Sequence, residues 1–390
     1  MSPWSLDPNV IFLNHGSFGA CPVPIQRTQS LLRRRMEREP VRFMVRELEG
    51  MLDSSRRELS AFLGTAPERL AFVPNATVGV NTALRAFPLS PGDEILVTNH
   101  GYNACRNAAF RAAEEKGARV SVASIPFPIA SDDDALGAIF RAVTSRTKLA
   151  LIDHVTSPTA LVLPLARIAR ELGARGVETI VDGAHAPGMV PVAIDEIGAA
   201  FYTGNCHKWL CAPKGAGFLA VRDDFANRVN PLVTSHGAND PRTEKPRLHR
   251  EFDWNGTTDF TPYLCVPEAI RFLGTLGEGG LPGLMRRNHA LALQAQEILC
   301  GALEQAPPCP ASMVGSMASI PLPAHLLPAP VNKIALDPLQ DRLFFEHRID
   351  VPINVWPAFP SRVLRVSAQA YNRRDQYEIL ARALTGAHNA

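Results

Sequence analysis

Short hydrophobic runs alternate with amphipathic stretches between about residue 70 and residue 222. Seven of the runs have the length and composition of buried β-strands: Leu70–Pro74, Glu94–Thr98, Arg119–Ser124, Lys148–Asp153, Glu178–Val181, Ala199–Tyr202 and Gly217–Val221. Apolar residues recur at helical spacing in four of the intervening segments: 78–86, 103–116, 133–144 and 164–175. Strands that alternate with helices predict an α/β fold, in which helices cover a mainly parallel sheet.

The segments on either side of this region have a different pattern. Residues 25–63 show helical spacing with many Arg and Glu residues. Because acids and bases alternate there, the segment predicts a pair of solvent-facing helices. The start of the chain, Asn9–Gly19, predicts a short strand followed by a turn.

The C-terminal part predicts a second, smaller unit. Helical spacing continues over 266–276 and 286–305, and Lys333–Leu384 has the pattern of the strands and helices of an α+β domain. We therefore expect a large domain over residues 16–265 and a small domain built from residues 1–15 and 266–390.

Composition and charge exclude several classes of protein. The 390 residues carry a formal net charge of +2, which gives no reason to expect nucleic acid or a membrane surface as a partner. No apolar run reaches the ~20 residues that span a bilayer, and the N-terminus lacks the pattern of an export signal. The seven cysteines include no Cys-x-x-Cys pair. We expect reduced thiols in the cytoplasm and no metal site.

Chemically capable side chains follow the predicted strands. They occur at Asn75–Thr77, His100–Asn103, His154–Ser157, Asp182–His185 and Asn205–Lys208. Parallel sheets bind ligands beyond the carboxyl ends of their strands. We therefore expect these five segments to meet in one site.

Two of these residues suit pyridoxal 5'-phosphate. A lysine in a tight, partly dry pocket is kept neutral and forms a Schiff base with an aldehyde, and Lys208 follows a short apolar strand and a polar turn. An aspartate that pairs with the pyridinium nitrogen is the second group this cofactor needs, and Asp182 follows the preceding strand. Lys208 and Asp182 are therefore the predicted catalytic pair.

The sequences around this pair resemble those of a known family. Val-Asp-Gly-Ala-His (181–185) and Gly-Asn-Cys-His-Lys-Trp (204–209) are similar to motifs of the class V aminotransferase family, which comprises fold-type I pyridoxal-phosphate enzymes. Within it the chain most resembles the isopenicillin N epimerase branch. The similarity extends from Leu13–Gly19 to Arg365–Asn372.

The resemblance implies roles for further residues around the cofactor. The start of a helix at Ala76 and Thr77 suits a phosphate, although a plain N-cap is the alternative from sequence alone. Other assignments rest on the resemblance: Asn205 and His207 as phosphate donors, His185 at the phenolic oxygen, Tyr102 or else His100 stacked on the pyridine ring, and Thr257 or else Thr258 at the partner subunit's phosphate. That last role implies a homodimer with shared active sites.

The resemblance also implies a substrate site. Arg365 is the expected partner of an amino-acid carboxylate, because a guanidinium binds a carboxylate through two hydrogen bonds; an ordinary surface salt bridge is the alternative. The loop with Asn14 and His15 is expected to contact the substrate, and a glycine-permitted turn is the equally weighted alternative. Asn372 belongs to the same neighbourhood.

The reaction remains open between two chemistries. The resemblance favours epimerisation or racemisation at Cα, with a carbon–sulfur lyase as the alternative; an aminotransferase and a non-catalytic cofactor-binding protein are weaker. Because no cysteine follows Cys309, a persulfide mechanism is not expected, and the absence of Gly-x-Gly-x-x-Gly argues against a nicotinamide dehydrogenase. An epimerase needs a second acid opposite Lys208, for which Tyr102, His15 or a water that they hold are the candidates.

Overall fold

A computed structural model describes residues 2–324, 326 and 336–386 of the chain. The strands are β1 (Ile11–Phe12), β2 (Leu70–Val73), β3 (Glu94–Thr98), β4 (Arg119–Ala123), β5 (Thr147–Asp153), β6 (Glu178–Gly183), β7 (Phe201–Asn205), β8 (Gly217–Val221), β9 (Met317–Pro321), β10 (Ile349–Asp350), β11 (Ile353–Val355) and β12 (Arg362–Ser367). The helices are α1 (His15–Phe18), α2 (Val23–Arg38), α3 (Leu48–Leu63), α4 (Ala76–Ala86), α5 (Asn103–Glu115), α6 (Asp132–Arg141), α7 (Leu165–Gly173), α8 (Ile194–Ile197), α9 (Arg247–Phe252), α10 (Thr261–Leu264), α11 (Val266–Gly274), α12 (Gly280–Ala302), α13 (Pro338–His347) and α14 (Arg374–Thr385).

All seven predicted central strands form one sheet. Its order is β2-β8-β7-β6-β5-β3-β4, and every neighbouring pair among β3 to β7 runs parallel. Only β8 is antiparallel to its two neighbours. The predicted mainly parallel seven-stranded α/β fold is therefore confirmed.

The two faces of the sheet lie against different hydrophobic cores. Along β5, Leu149 and Leu151 pack into one core while Ala150 and Ile152 pack into the other. Side chains of a strand alternate between faces, so a continuous apolar run is what a sheet covered on both sides requires. This double coverage leaves the strand ends as the open edge at which polar side chains can gather.

The largest differences from the sequence prediction lie at element boundaries. β7 begins two residues later than predicted and continues to Asn205, so that Asn205 belongs to the strand and not to the turn. The predicted strand at the N-terminus is only two residues long, and the helix α1 follows it. A run of π-helix, Arg42–Glu47, joins the two predicted surface helices α2 and α3.

The C-terminal part contains a separate antiparallel sheet with the order β11-β12-β9. β1 pairs in parallel with β10, which connects the start of the chain to this region. Of the predicted α+β segment, residues 333–335 lie outside the described part of the chain. Within the described part, no helix combines the length and the apolar character that crossing a bilayer requires.

Candidate active site

A cavity of about 250 Å³ opens at the carboxyl ends of β5, β6 and β7. Its wall includes eight of the predicted site residues: Lys208, Asp182, His185, Ala76, Thr77, Tyr102, Asn205 and His207. These residues come from four separate segments of the chain, and Ser157 of the fifth predicted segment also lines the cavity. The expectation that strand-end residues meet in one site is thus correct for this set.

Lys208 lies in the loop after β7 and is largely shielded from solvent. Burial lowers the pKa of its amine to about 8; the nearby positive charge of Arg365 acts in the same direction, and Asp182 opposes it. The amine lies 3.3 Å from Nε2 of His185. A substantial fraction of Lys208 is therefore neutral near physiological pH, as a nucleophile or a general base requires.

Glycine is required where other loops approach the lysine loop closely. Gly19 has a φ of +68°, and a Cβ there would lie 2.2 Å from the carbonyl oxygen of His207. Gly188, at φ +89°, has the backbone of Trp209 at 2.6 Å from the position of a Cβ. The backbone around Lys208 is therefore enclosed on two sides.

Asp182 is buried at the end of β6 and is held by two donors. Its Oδ1 accepts from the backbone N–H of Ala184 at 3.0 Å, and its Oδ2 accepts from the thiol of Cys105 at 3.1 Å. Burial raises the pKa of Cys105, so its sulfur keeps the proton that it donates. This fixed carboxylate faces the same cavity as Lys208.

A second buried acid, Asp153, lies beside Asp182. The two occupy paired positions on the parallel strands β5 and β6, and both line the cavity. Burial raises the pKa of Asp153 well above its ordinary value, and the charge of Asp182 acts in the same direction. Two buried carboxyl groups thus lie side by side at the end of the sheet, and burial favours the protonated form of Asp153.

The N-terminus of α4 presents unpaired donors to the cavity. Asn75 caps the helix by accepting from Val78 N–H at 3.0 Å, and Oδ1 of Asn205 accepts from Ala76 N–H at 2.8 Å. Within the described residues, neither the backbone N–H nor the hydroxyl of Thr77 has a hydrogen-bond partner. The cap uses other donors, so it does not exclude an anion at the donors of Thr77.

His207 lies beside this helix terminus. Its Nδ1 contacts the carbonyl oxygen of Ala216 at 3.0 Å, which leaves Nε2 for the cavity that the residue lines. Burial lowers the pKa of His207 to about 4, and the ring is therefore neutral. Since the carbonyl only accepts, Nδ1 carries the hydrogen and Nε2 is an acceptor, so in this tautomer His207 does not donate to a phosphate as the resemblance implied.

Arg365, on β12, does not line the cavity itself but contacts two residues of its wall, Ser157 and Ser17. Its Nη1 donates to the carbonyl oxygen of Ser157 at 2.7 Å, and its Nη2 donates to the hydroxyl of Ser17 at 3.0 Å. Among the described residues it forms no ion pair, and its Nε lacks a hydrogen-bond partner although the side chain is only 4% exposed. Burial lowers the pKa of Arg365 to about 10, so it stays charged at neutral pH.

The structure separates the two candidates for the ring-stacking position. Tyr102 lines the cavity and is 47% exposed, which places it at the mouth. His100 is fully buried, with Nδ1 at 2.6 Å from the hydroxyl of Thr159 and its ring packed on Trp356. Only Tyr102 has a face available to a ligand.

Besides Arg365, three predicted site residues do not line the cavity. Asn14 donates to Asp350 at 3.0 Å and accepts from the hydroxyl of Ser17. His15 is buried behind Lys208, as described below. Thr257 and the alternative Thr258 are exposed on the surface, where a contact with a partner subunit remains a prediction.

Sequence analysis missed Asp153, Ser17 and Ser157 as individual site residues. Asp153 is the last residue of a predicted strand, and the two serines fall within segments that the strand pattern had already marked. The positions of the strand ends indicate only which loops lie near the site. They do not tell which side chains of a loop turn toward the cavity.

The residues around the cavity fit pyridoxal phosphate. Unpaired donors at the start of α4 suit a phosphate, Asp182 suits a pyridinium nitrogen, and Lys208 suits an aldehyde carbon. The buried Nδ1 of His185 has no partner among the described residues, as expected of a group that awaits a ligand.

Comparison with known proteins gives the same assignment. A profile of the family described as aminotransferase class-V matches residues 36–304. An isopenicillin N epimerase from Amycolatopsis lactamdurans is 36% identical and covers 97% of this chain and 96% of its own. A probable chloroplastic L-cysteine desulfhydrase from Arabidopsis thaliana is 30% identical and covers 97% of this chain and 83% of its own.

The fold also matches solved structures. A mutant of C-DES with glycine covalently linked to its pyridoxal-phosphate cofactor superposes with a TM-score of 0.78 at 18% identity, and 97% of each chain is covered. At this identity the likeness concerns the fold. With the profile match and the full-length relatives, it follows that the chain belongs to the class V aminotransferase family and is a pyridoxal-phosphate-dependent enzyme.

Proposed function

We propose that this enzyme epimerises an amino acid, or an amino-acid-derived substrate, at Cα. The observation that carries the proposal is that a lysine with a lowered pKa lines the cavity, while a buried arginine without an acidic partner among the described residues is bonded to two serines of the cavity wall. An amino acid brings the two groups that this arrangement lacks, a carboxylate for Arg365 and a Cα proton for Lys208.

Several residues would hold the cofactor in this proposal. Thr77 and the start of α4 bind the phosphate with Asn205 and His207 nearby, Asp182 keeps the pyridine nitrogen protonated, and Tyr102 covers the ring at the mouth. When bound, pyridoxal phosphate delocalises the electron pair that remains when Cα loses its proton. His185, whose Nε2 lies 3.3 Å from the Lys208 amine, would contact the phenolic oxygen.

Lys208 and Arg365 carry out the steps that the protein itself contributes. Arg365 binds the substrate carboxylate through two hydrogen bonds and orients Cα toward Lys208. The neutral amine of Lys208 then removes the Cα proton as a general base. Ser17 and Ser157 fix the guanidinium, which holds the carboxylate in one position.

Epimerisation also requires a proton donor on the opposite face of Cα. Of the candidates from the sequence, Tyr102 lines the cavity, whereas both ring nitrogens of His15 are engaged elsewhere. We assign the second proton to the Tyr102 hydroxyl or to a water that it holds. The 36% identity with an isopenicillin N epimerase over nearly the whole chain supports this choice of reaction.

A carbon–sulfur lyase is the second candidate, supported by the 30% identity with a probable cysteine desulfhydrase. Such a reaction begins with the same loss of the Cα proton but needs a leaving group on Cβ and no second acid. Transamination and cofactor binding without turnover are less favoured. None of the residues lining the cavity is a cysteine, so persulfide transfer is not proposed.

The assembly and the compartment are further parts of the proposal. We expect a homodimer in which Thr257 of each chain reaches the partner's phosphate. The seven cysteines form no disulfide, which agrees with a reducing compartment such as the cytoplasm. The division into domains at residues 15/16 and 265/266 also remains a proposal, and the pairing of β1 with β10 supports it.

One assay separates the two chemistries. The enzyme is incubated in heavy water with a plain aliphatic L-amino acid and with an S-substituted L-cysteine. Chiral chromatography follows the D-isomer, and coupled reduction follows 2-oxo acid. We expect the D-isomer with deuterium at Cα; 2-oxo acid and ammonia without any D-isomer would establish the lyase instead.

Two variants control this assay. Lys208→Ala abolishes both products if the lysine is the base. Tyr102→Phe distinguishes removal of the Cα proton from protonation of the opposite face. We expect it to reduce D-isomer formation while the L-isomer still exchanges its Cα proton with solvent. Equal loss of exchange and epimerisation in Tyr102→Phe would contradict its assignment as the second acid.

A further inference from the structure

His15 is fully buried behind the catalytic lysine and uses both ring nitrogens there. Its Nε2 lies 3.1 Å from the carbonyl oxygen of Lys208, and its Nδ1 lies 2.8 Å from the hydroxyl of Tyr371. The ring also packs on Trp209 with a centroid distance of 4.8 Å. One side chain thus joins the N-terminal segment, the lysine loop and the C-terminal part.

The partners of His15 assign its tautomer. A carbonyl oxygen only accepts, so Nε2 carries a hydrogen and donates it to Lys208. Nδ1 then accepts from Tyr371, whose pKa is raised well above its ordinary value by burial, so that the phenol keeps its proton. Burial lowers the pKa of His15 to about 3, which agrees with a neutral ring.

Two side chains lie near the same nitrogen, and one of them, the sulfur of Cys211, is 3.7 Å from it. The side-chain nitrogen of Gln369 lies 3.3 Å from Nε2 of His15, farther than the Lys208 carbonyl. Gln369 has another acceptor in the sulfur of Cys211, at 3.8 Å. The shorter contact is therefore the hydrogen bond, and Gln369 packs beside it.

The short helix α1, which begins at His15, also contacts Arg365. Ser17, two residues after His15, accepts from Arg365, and Gly16 N–H donates to the hydroxyl of Ser367 at 3.0 Å. A Cβ on Gly16 would lie 2.3 Å from the sulfur of Met317, so α1 fits closely against the C-terminal sheet. Any shift of α1 would change the separation between Lys208 and Arg365.

We propose that His15 is a positioning residue for Lys208, whose backbone it fixes by a hydrogen bond from Nε2, and that it is neither a substrate ligand nor the second acid. The amine of Lys208 sits at the end of a flexible side chain, so fixing the backbone at its base narrows the directions that the amine samples. Covalent attachment of pyridoxal phosphate depends on that direction. The inference rests on the proposed role of Lys208 and extends it to a residue outside the cavity.

Two substitutions of His15 distinguish the hydrogen bond from mere packing. The amide nitrogen of a glutamine occupies the place of Nε2, and that of an asparagine occupies the place of Nδ1. His15→Gln therefore keeps the donor to Lys208, and His15→Asn loses it. Tyr371→Phe leaves His15 intact but removes the donor to Nδ1, and His236→Asn, at an exposed histidine, is the matched control.

The measurement is the rate at which added pyridoxal phosphate attaches covalently to the cofactor-free protein at 25 °C. Absorbance follows the rate, and borohydride trapping with peptide mapping identifies the lysine. We expect His15→Asn to attach at least about five-fold more slowly than the wild type, as for the loss of one hydrogen bond. His15→Gln and His236→Asn should stay within about two-fold, with Tyr371→Phe in between.

Melting temperatures measured alongside separate positioning from stability. A purely structural role lowers the melting temperature of both His15 variants and leaves the attachment rate of the folded protein unchanged, which overturns the proposal. It is also overturned if His15→Gln is as slow as His15→Asn, or if His15→Asn attaches normally yet forms no D-isomer. Absence of label on Lys208 in the wild type overturns the proposed function, and this inference with it.

Discussion

The amine of Lys208 is less basic than that of an exposed lysine because its surroundings cannot solvate a positive charge. With a pKa of about 8, it is mostly protonated below pH 7 and mostly neutral above pH 9. An exposed lysine, with a pKa near 10.4, would be almost fully protonated over this range. The pocket therefore selects this lysine for reaction with an aldehyde.

This lowered pKa predicts how covalent attachment depends on pH. Only the neutral amine attacks, so the attachment rate of the cofactor-free protein should rise about ten-fold per pH unit below pH 8 and level off above it. Stopped-flow absorbance between pH 6 and pH 10 measures the profile. A rate that still rises ten-fold per unit at pH 10 would mean that Lys208 is not desolvated.

Arg365 is the second residue whose surroundings give a sharp expectation. Arg365→Lys keeps the charge but loses the planar pair of donors, so the KM for an amino-acid substrate should rise about 10- to 100-fold. Arg373→Lys, at an exposed position, is the control and should change neither KM nor kcat. An unchanged KM in Arg365→Lys would contradict the proposal that Arg365 binds the substrate carboxylate.

These residues could be predicted from the sequence to different degrees. Lys208 and Asp182 stand out because each is a chemically capable residue at or shortly after the end of an apolar strand, and their contacts agree with that interpretation. His15 was expected at the substrate but lies behind the lysine. Its burial depends on Tyr371 and Trp209, which are distant in sequence, so no local pattern could indicate it.

At the scale of elements, the period of the apolar positions predicted the central sheet well. Strands buried on both faces leave an unbroken hydrophobic run, and all seven runs became neighbours in one sheet. The pattern did not predict that β8 runs antiparallel, because strand direction depends on the length and path of the connection. It also missed α1, whose four residues are too few to show a helical period.

The contact between α4 and β7 depends on a glycine. A Cβ on Gly79 would lie 2.0 Å from the hydroxyl oxygen of Thr203, so Gly79→Ala should push the helix away from the sheet. We expect a loss of about 1–3 kcal/mol in the free energy of unfolding. Because Thr77 lies in the first turn of α4, affinity for pyridoxal phosphate should fall as well.

Urea unfolding followed by circular dichroism tests this expectation. Gly50→Ala in α3 is the control, because nothing lies within 4 Å of a Cβ there. That substitution should stabilise the protein by about 0.5–1 kcal/mol, as alanine favours a helix more than glycine does. Equal midpoints for both variants would contradict the close packing of α4.

At the scale of the whole molecule, one chain brings most of the predicted cofactor residues together but leaves Thr257 on the surface. If Thr257 contacts the partner's phosphate, the active enzyme is a dimer of twice the 42.4 kDa chain mass. Sedimentation of the holoenzyme at assay concentrations should show that species. A fully active monomer would contradict the proposal that two subunits share each active site.

The most direct test of the account is to identify the residue that binds the cofactor covalently. The holoenzyme is reduced with borohydride, digested and mapped by mass spectrometry, with Lys208→Ala treated in parallel. We predict a pyridoxyl group on Lys208 at one per chain and none in the variant. Label on the exposed Lys214, or no label on any peptide, would contradict the assignment of Lys208 and the mechanism built on it.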